Sequence, residues 1–141
     1  MSTSVIVYVL TALAAVVVVL TRLRLGRGSG GAGRLSMGRG LLNLHTGAGI
    51  LALVTWVVFL VAPEDSTLGS PTLGIVSLAL WWVVVVTGLL ILVRWLPSRG
   101  KHASDGSEDS WSEGPGLSIL AHVGMLVGVC VFTWAYLTSA V

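Results

Sequence analysis

The chain has 141 residues, of which 55% are hydrophobic and 10% charged, with a formal net charge of +2. Soluble domains carry about 25% charged residues, so this balance excludes an ordinary water-soluble globule. A single cysteine, Cys130, excludes an internal disulfide framework, and the small basic excess gives no footprint for a nucleic-acid partner.

Four segments are apolar and long enough to cross a bilayer core of about 30 Å as helices. They run over about Ser4–Thr21, Leu41–Val61, Thr72–Val93 and Leu117–Thr138, and none contains Asp, Glu, Lys or Arg. The first, SVIVYVLTALAAVVVVLT, is rich in β-branched residues and in water would favour a strand. In lipid the backbone must satisfy its own hydrogen bonds, which dictates a helix. Its positive charges follow it and no small-x-small cleavage site separates it from TRLRLGR, so it is expected to be a retained anchor rather than a signal peptide. The expected fold is therefore all-α: one integral membrane domain over residues 1–141, an up-down bundle of four helices.

Orientation follows from the basic residues. Arg22, Arg24, Arg27, Arg34 and Arg39 lie between the first two spans, and Arg94, Arg99 and Lys101 follow the third. The segment between spans two and three, PEDSTLGSP, holds Glu64 and Asp65 and no base. Segments 22–40 and 94–116 are expected to be cytoplasmic, with both termini outside. Seven arginines against one lysine, with abundant Ala, Val, Gly and Leu, suit a GC-rich bacterial genome and a bacterial plasma-membrane location. Trp95 and Trp111 flank the cytoplasmic interface, and Tyr8, Trp134 and Tyr136 the outer one, as in the aromatic belts of membrane proteins. Trp81 and Trp82 fall mid-span, where they fill packing space or face lipid.

The segment RLGRGSGGAGRLSMGRG is Gly-rich, basic and loop-like, and its arginines either attract anionic lipid or only set topology. In the second cytoplasmic segment His102, Asp105, Glu108 and Asp109 match no metal-ligand spacing and read as solvated surface, and Glu113 precedes span four, where a negative charge suits a helix N-terminus. No Walker, HExxH, GxSxG or CxxC motif is present, so soluble-type catalysis has no obvious seat and enzyme activity stays open.

Two histidines stand inside the spans. His45, in LLNLHTGAGILALVTW, is the fifth residue of span two, and His122, in GLSILAHVGMLVG, is the sixth of span four. Both spans start at the cytoplasmic face, so at 1.5 Å per residue the rings lie roughly 6–8 Å below the helix starts, level with one another. Spans two and four are diagonal in a sequential bundle, roughly 13 Å apart if neighbours are 8–10 Å apart. Small or slim residues reach the same depth: Gly49 and Ala52 beside His45, Ala121, Gly124 and Met125 beside His122, Thr87 and Gly88 on span three, and Ala15 and Val16 on span one. Gly124 and Gly128, extended by Ala121 and Ala135, form a small-residue stripe suited to close packing within the bundle or in a dimer. Cys130 lies about 12 Å along the axis from His122 and is expected to be a small packing residue outside any shared metal site.

This arrangement resembles the small b-type cytochromes of membranes, such as cytochrome b561-like proteins and the haem-bearing anchors of succinate dehydrogenase. The resemblance implies one haem b with His45 and His122 as axial iron ligands, and electron transfer to or from a quinone or partner. Many b561-like proteins hold two haems with four histidines; two histidines in the spans imply at most one haem here. Three functional readings stay open: a single-haem electron carrier or redox-complex anchor; a non-catalytic accessory, scaffold or lipid-contacting protein with structural histidines; and a small transporter or proton path, although the spans lack acidic residues. The thin bundle points to a partner membrane subunit or a homo-oligomer.

Overall fold

A computed structural model describes residues 2–27, 39–95 and 115–141, with side chains described over 2–20, 40–94 and 119–141. The expectations for Arg34, Arg99, Lys101, His102, Asp105, Glu108, Asp109, Trp111 and Glu113 lie outside the described residues. The chain is all-helical across the described residues: α1 Thr3–Arg27, α2 Arg39–Val61, α3 Pro71–Trp95 and α4 Pro115–Leu137. All four are long and apolar enough to cross a membrane. α1 continues to Arg27, six residues past the expected end of the span, so the segment expected to be loop from residue 22 begins as helix. Helix propagation explains this, since each added residue gains one backbone bond and Arg and Leu are good helix formers.

α3 and α4 each begin on a proline, whose fixed φ suits the first turn and whose missing N–H costs nothing there. Ahead of α3, a single 3-10 turn at Thr67–Gly69 is capped by Ser66, whose hydroxyl accepts from the Gly69 N–H at 3.0 Å. Along the helices the hydroxyls turn back on the preceding turn. Thr11 donates to Val7, Thr46 to Leu42, Ser77 to Leu73 and Thr133 to Val129, each at 2.8 Å. A hydroxyl satisfied within its own helix is cheap to place in hydrocarbon.

The closest packing is between α2 and α3, then between α3 and α4, with α1 resting on α2 and α4. Near the start of α1, the Tyr8 hydroxyl donates to the Leu60 carbonyl near the end of α2 at 3.1 Å. The Tyr136 hydroxyl near the end of α4 donates to the Pro71 carbonyl at the start of α3 at 2.9 Å. The core at this end is aromatic. Trp56 lies 5.0 Å from Phe132 and 5.5 Å from Phe59, centroid to centroid, Phe59 lies 5.9 Å from Tyr136, and Trp81 lies 5.9 Å from Phe132. Gly74 leaves the room these rings take up: a Cβ there would stand 2.5 Å from the Tyr136 ring.

Around this core the outer faces are apolar. Leu13, Val16, Val54, Val86 and Val127 are all more than half exposed, as lipid-facing positions are. Trp81 is fully buried, whereas the neighbouring Trp82 lies on the outside and its indole N–H donates to Thr133 Oγ1 at 3.2 Å. Cys130 is exposed, contrary to its expected packing role: it shares a helix with the inward-facing Val129 and Phe132 but lies on another face. A Cβ built at Gly124 or Gly128 meets nothing within 4 Å, whereas Ala135 of the same stripe is fully buried in the core and Ala121 lines the cavity beside His122.

α1 is tied to the core by Trp56, whose buried indole N–H donates to Thr11 Oγ1 at 3.1 Å. Trp56→Phe removes that bond while Thr11 keeps its own bond to Val7. The expected cost is about 1 kcal/mol, read as a lowered unfolding midpoint in detergent micelles with helix content unchanged.

Candidate functional site

The two histidines meet. Each is half-buried, and their ring centroids are 6.1 Å apart with an angle of 19° between planes. α2 and α4 each pack on both α1 and α3, which places the two ring-bearing helices across the bundle from one another.

His45 is held by α3. Its Nδ1 lies 3.1 Å from the Val84 carbonyl and 3.2 Å from Thr87 Oγ1. The Thr87 hydroxyl donates its own hydrogen to the Val83 carbonyl at 2.7 Å, so towards His45 its oxygen accepts. Both groups facing Nδ1 are acceptors, which assigns the proton of the neutral imidazole to Nδ1. Nε2 then carries the lone pair, the form in which a histidine ligates a metal or accepts a proton.

Gly88, one residue after Thr87, lies against both rings. A Cβ built there would stand 2.9 Å from His45 Cε1, 2.9 Å from His122 Cδ2 and 3.2 Å from His122 Nε2. His45 Cε1 and the Cδ2–Nε2 edge of His122 thus border one notch in α3.

From the histidines a cavity of about 110 Å³ extends into the bundle, with Val17 and Val18 of α1, Gly49 of α2 and Trp81 of α3 among its walls. Val17 and Val18 stand where Ala15 and Val16 were expected; Val16 is 53% exposed. Thr87 and Gly88 match the depth read from the sequence, but their roles as acceptor and notch were not foreseen. A short polar residue followed by glycine at the histidine's depth was the available signal. Trp81 was missed as a wall of the site, because an all-apolar run does not say which of two adjacent tryptophans turns inward. Among the described residues no group of three or more His, Cys, Asp or Glu is gathered to hold a metal ion, so a bare metal cage is not formed there.

No family model matches the chain, and no curated protein or solved structure matches it.

Proposed function

We propose that this is a single-haem electron-transfer protein, or the membrane anchor of a redox complex, with His45 and His122 as the axial ligands of one haem b. The observation that carries the reading is the pair of half-buried imidazoles 6.1 Å apart, converging on the notch at Gly88. His45 and His122 are the residues that would hold the group, one from each side of the bundle. The residues suit such a group in two respects: the lone pair left on His45 Nε2 and the glycine at 88 beside both rings. The cavity as it stands is smaller than a whole macrocycle, so holding one would require the helices around it to part. When bound, the haem supplies one-electron chemistry. The chain's residues bind and orient it, keep water from it with an apolar wall, and hold the Nδ1 proton of His45 on Val84 and Thr87.

The wider setting belongs to the same proposal: an up-down bundle in a bacterial plasma membrane, termini outside and basic segments in the cytoplasm, where the arginines meet anionic lipid. The deciding experiment is a reduced-minus-oxidised absorption spectrum of protein purified in detergent. Low-spin b-type bands at about one haem per chain are expected, and their absence ends the reading.

Thr87→Val tests the role of the Nδ1 hydrogen bonds. Loss of one acceptor is expected to weaken haem retention by about tenfold, the lower end of the effect of outer-shell partners, and to raise the midpoint potential, since a less polarised imidazole is a poorer donor. A redox titration that matches wild type would remove Thr87 from the site.

A second reading, a non-catalytic accessory or lipid-contacting subunit, is favoured by one observation. The face around the exposed Gly124 is open to a neighbouring helix or to lipid. On that reading, replacing both histidines with leucine leaves assembly and phenotype intact.

A further inference from the structure

α1 is packed unevenly along its length. Val7, Thr11 and Ala14 are buried, spaced by four and three residues as one stripe on a helix. The stripe runs on to Val17 and Val18, and there the burial ends: both are only partly buried and form a wall of the cavity beside the histidines. Val16 and Val19 next to them are 53% and 55% exposed. The hydrogen bonds from Tyr8 to the Leu60 carbonyl and from Trp56 to Thr11, which tie α1 to α2, both lie in the N-terminal half of α1.

The helix is thus held at one end and stands off the bundle at the other. Across the cavity from Val17 and Val18 is α3, which presents Val84 and Val85, with α2 and α4 on the flanks. A side chain that borders a void loses the dispersion attraction that a neighbour would give. In hydrocarbon no hydrophobic force presses it back, because lipid is as apolar as the core. Displacing the C-terminal half of α1 therefore costs little packing, whereas displacing its N-terminal half breaks both hydrogen bonds and uncovers Val7. A helix moves as a rod. Val18 lies about 10 Å along the axis from Thr11, so a tilt of roughly 15° about Thr11 carries it about 3 Å. Membrane helices adopt tilts of roughly 0–40°, so a change of this size is ordinary.

We infer that α1 is a lateral gate: it pivots at Tyr8 and Thr11, and its C-terminal half swings away from α3 to open the histidine cavity to ligands arriving from the lipid. Closed, the cavity of about 110 Å³ admits only a small molecule; open, it admits a larger one to His45 and His122. The gate stands on the packing of α1 and does not depend on which ligand the histidines hold.

Pairs of nitroxide labels on outward-facing positions read this motion, with Cys130→Ser removing the native thiol. Val19→Cys with Leu90→Cys spans the cavity end, and Val9→Cys with Val76→Cys spans the anchored end. These four side chains are 46% to 55% exposed, so labels there leave the core intact. Distances are measured by double electron–electron resonance on protein purified in detergent and again in lipid nanodiscs. The Val9–Val76 pair is expected to give one narrow distribution at the distance of the structure. The Val19–Leu90 pair is expected to carry a component about 3 Å longer, with a total width about twice that of the other pair. Absence of the longer component overturns the gate. So does equal broadening at both ends, since α1 would then be loose throughout and have no pivot. If Leu90→Cys fails to insert, Val86→Cys, at a position 53% exposed, takes its place. The absorption spectrum of the same samples separates the gate from the haem reading. The longer component without b-type bands sustains the gate and ends that reading; b-type bands without the longer component leave that reading standing and overturn the gate.

Discussion

Leucine in place of His45, or separately of His122, is expected to abolish the low-spin b-type spectrum while the helices still insert and assemble. On the proposed function each ring would supply one bond to the iron, and the other donors on the cavity wall, the Met125 thioether and the Thr46 hydroxyl, are weaker than an imidazole. The Thr46 hydrogen is already given to the Leu42 carbonyl at 2.8 Å. Retention should therefore fall by more than the 10–100-fold that outer-shell partners cost. Stability should move the other way or stay level, because a half-buried imidazole is exchanged for a side chain suited to hydrocarbon. Haem content per chain and the position of the reduced α band are the measurements. A variant that keeps full haem with unchanged bands would show that the ring concerned is no ligand, whatever its place in the fold.

The second large effect is expected at Gly88. A methyl group there would stand 2.9 Å from atoms of both imidazoles, closer than real carbon contacts allow, so at least one ring must move. His45 cannot swing away freely, since Val84 and Thr87 hold its Nδ1. Gly88→Ala is thus expected to part the rings, to destabilise the bundle by about 1–3 kcal/mol and to lower haem content sharply. Gly88→Leu should be worse. Gly124→Ala is the matched control: a Cβ there meets nothing within 4 Å, so the isolated chain should tolerate it. Comparing the two in detergent by unfolding midpoint and pigment yield separates a site glycine from a merely permissive one. Equal damage at both positions would mean that the face around Gly124 is itself covered by a neighbour.

The sequence makes the membrane helices legible because hydrocarbon imposes a length and a composition that a reader can count. The expectation that His45 and His122 lie level with one another, from rise per residue, agrees with rings 6.1 Å apart. Rotation about each helix axis is not legible in the same way. In water, polarity marks the outer face of a helix; in lipid the exterior is as apolar as the core, and the cue is lost. The valine-rich α1 illustrates this: Val17 and Val18 reach the cavity while Val16 faces out, and nothing in AAVVVV distinguishes them. Trp81 and Trp82 pose the same problem, as does Cys130. Where a polar group does mark a face, the reading fares better. Thr87 and Gly88, a short polar residue and a glycine at the depth of the rings, do lie against them.

The two rings come from the second and the fourth helices, which has a consequence for how the protein is made. During synthesis His45 enters the membrane long before α4 exists. The pocket is complete only once the last helix has been inserted and has closed against α1 and α3. Were a prosthetic group bound as proposed, it would have to arrive after translation of the whole bundle, or wait on a single imidazole until its counterpart appears.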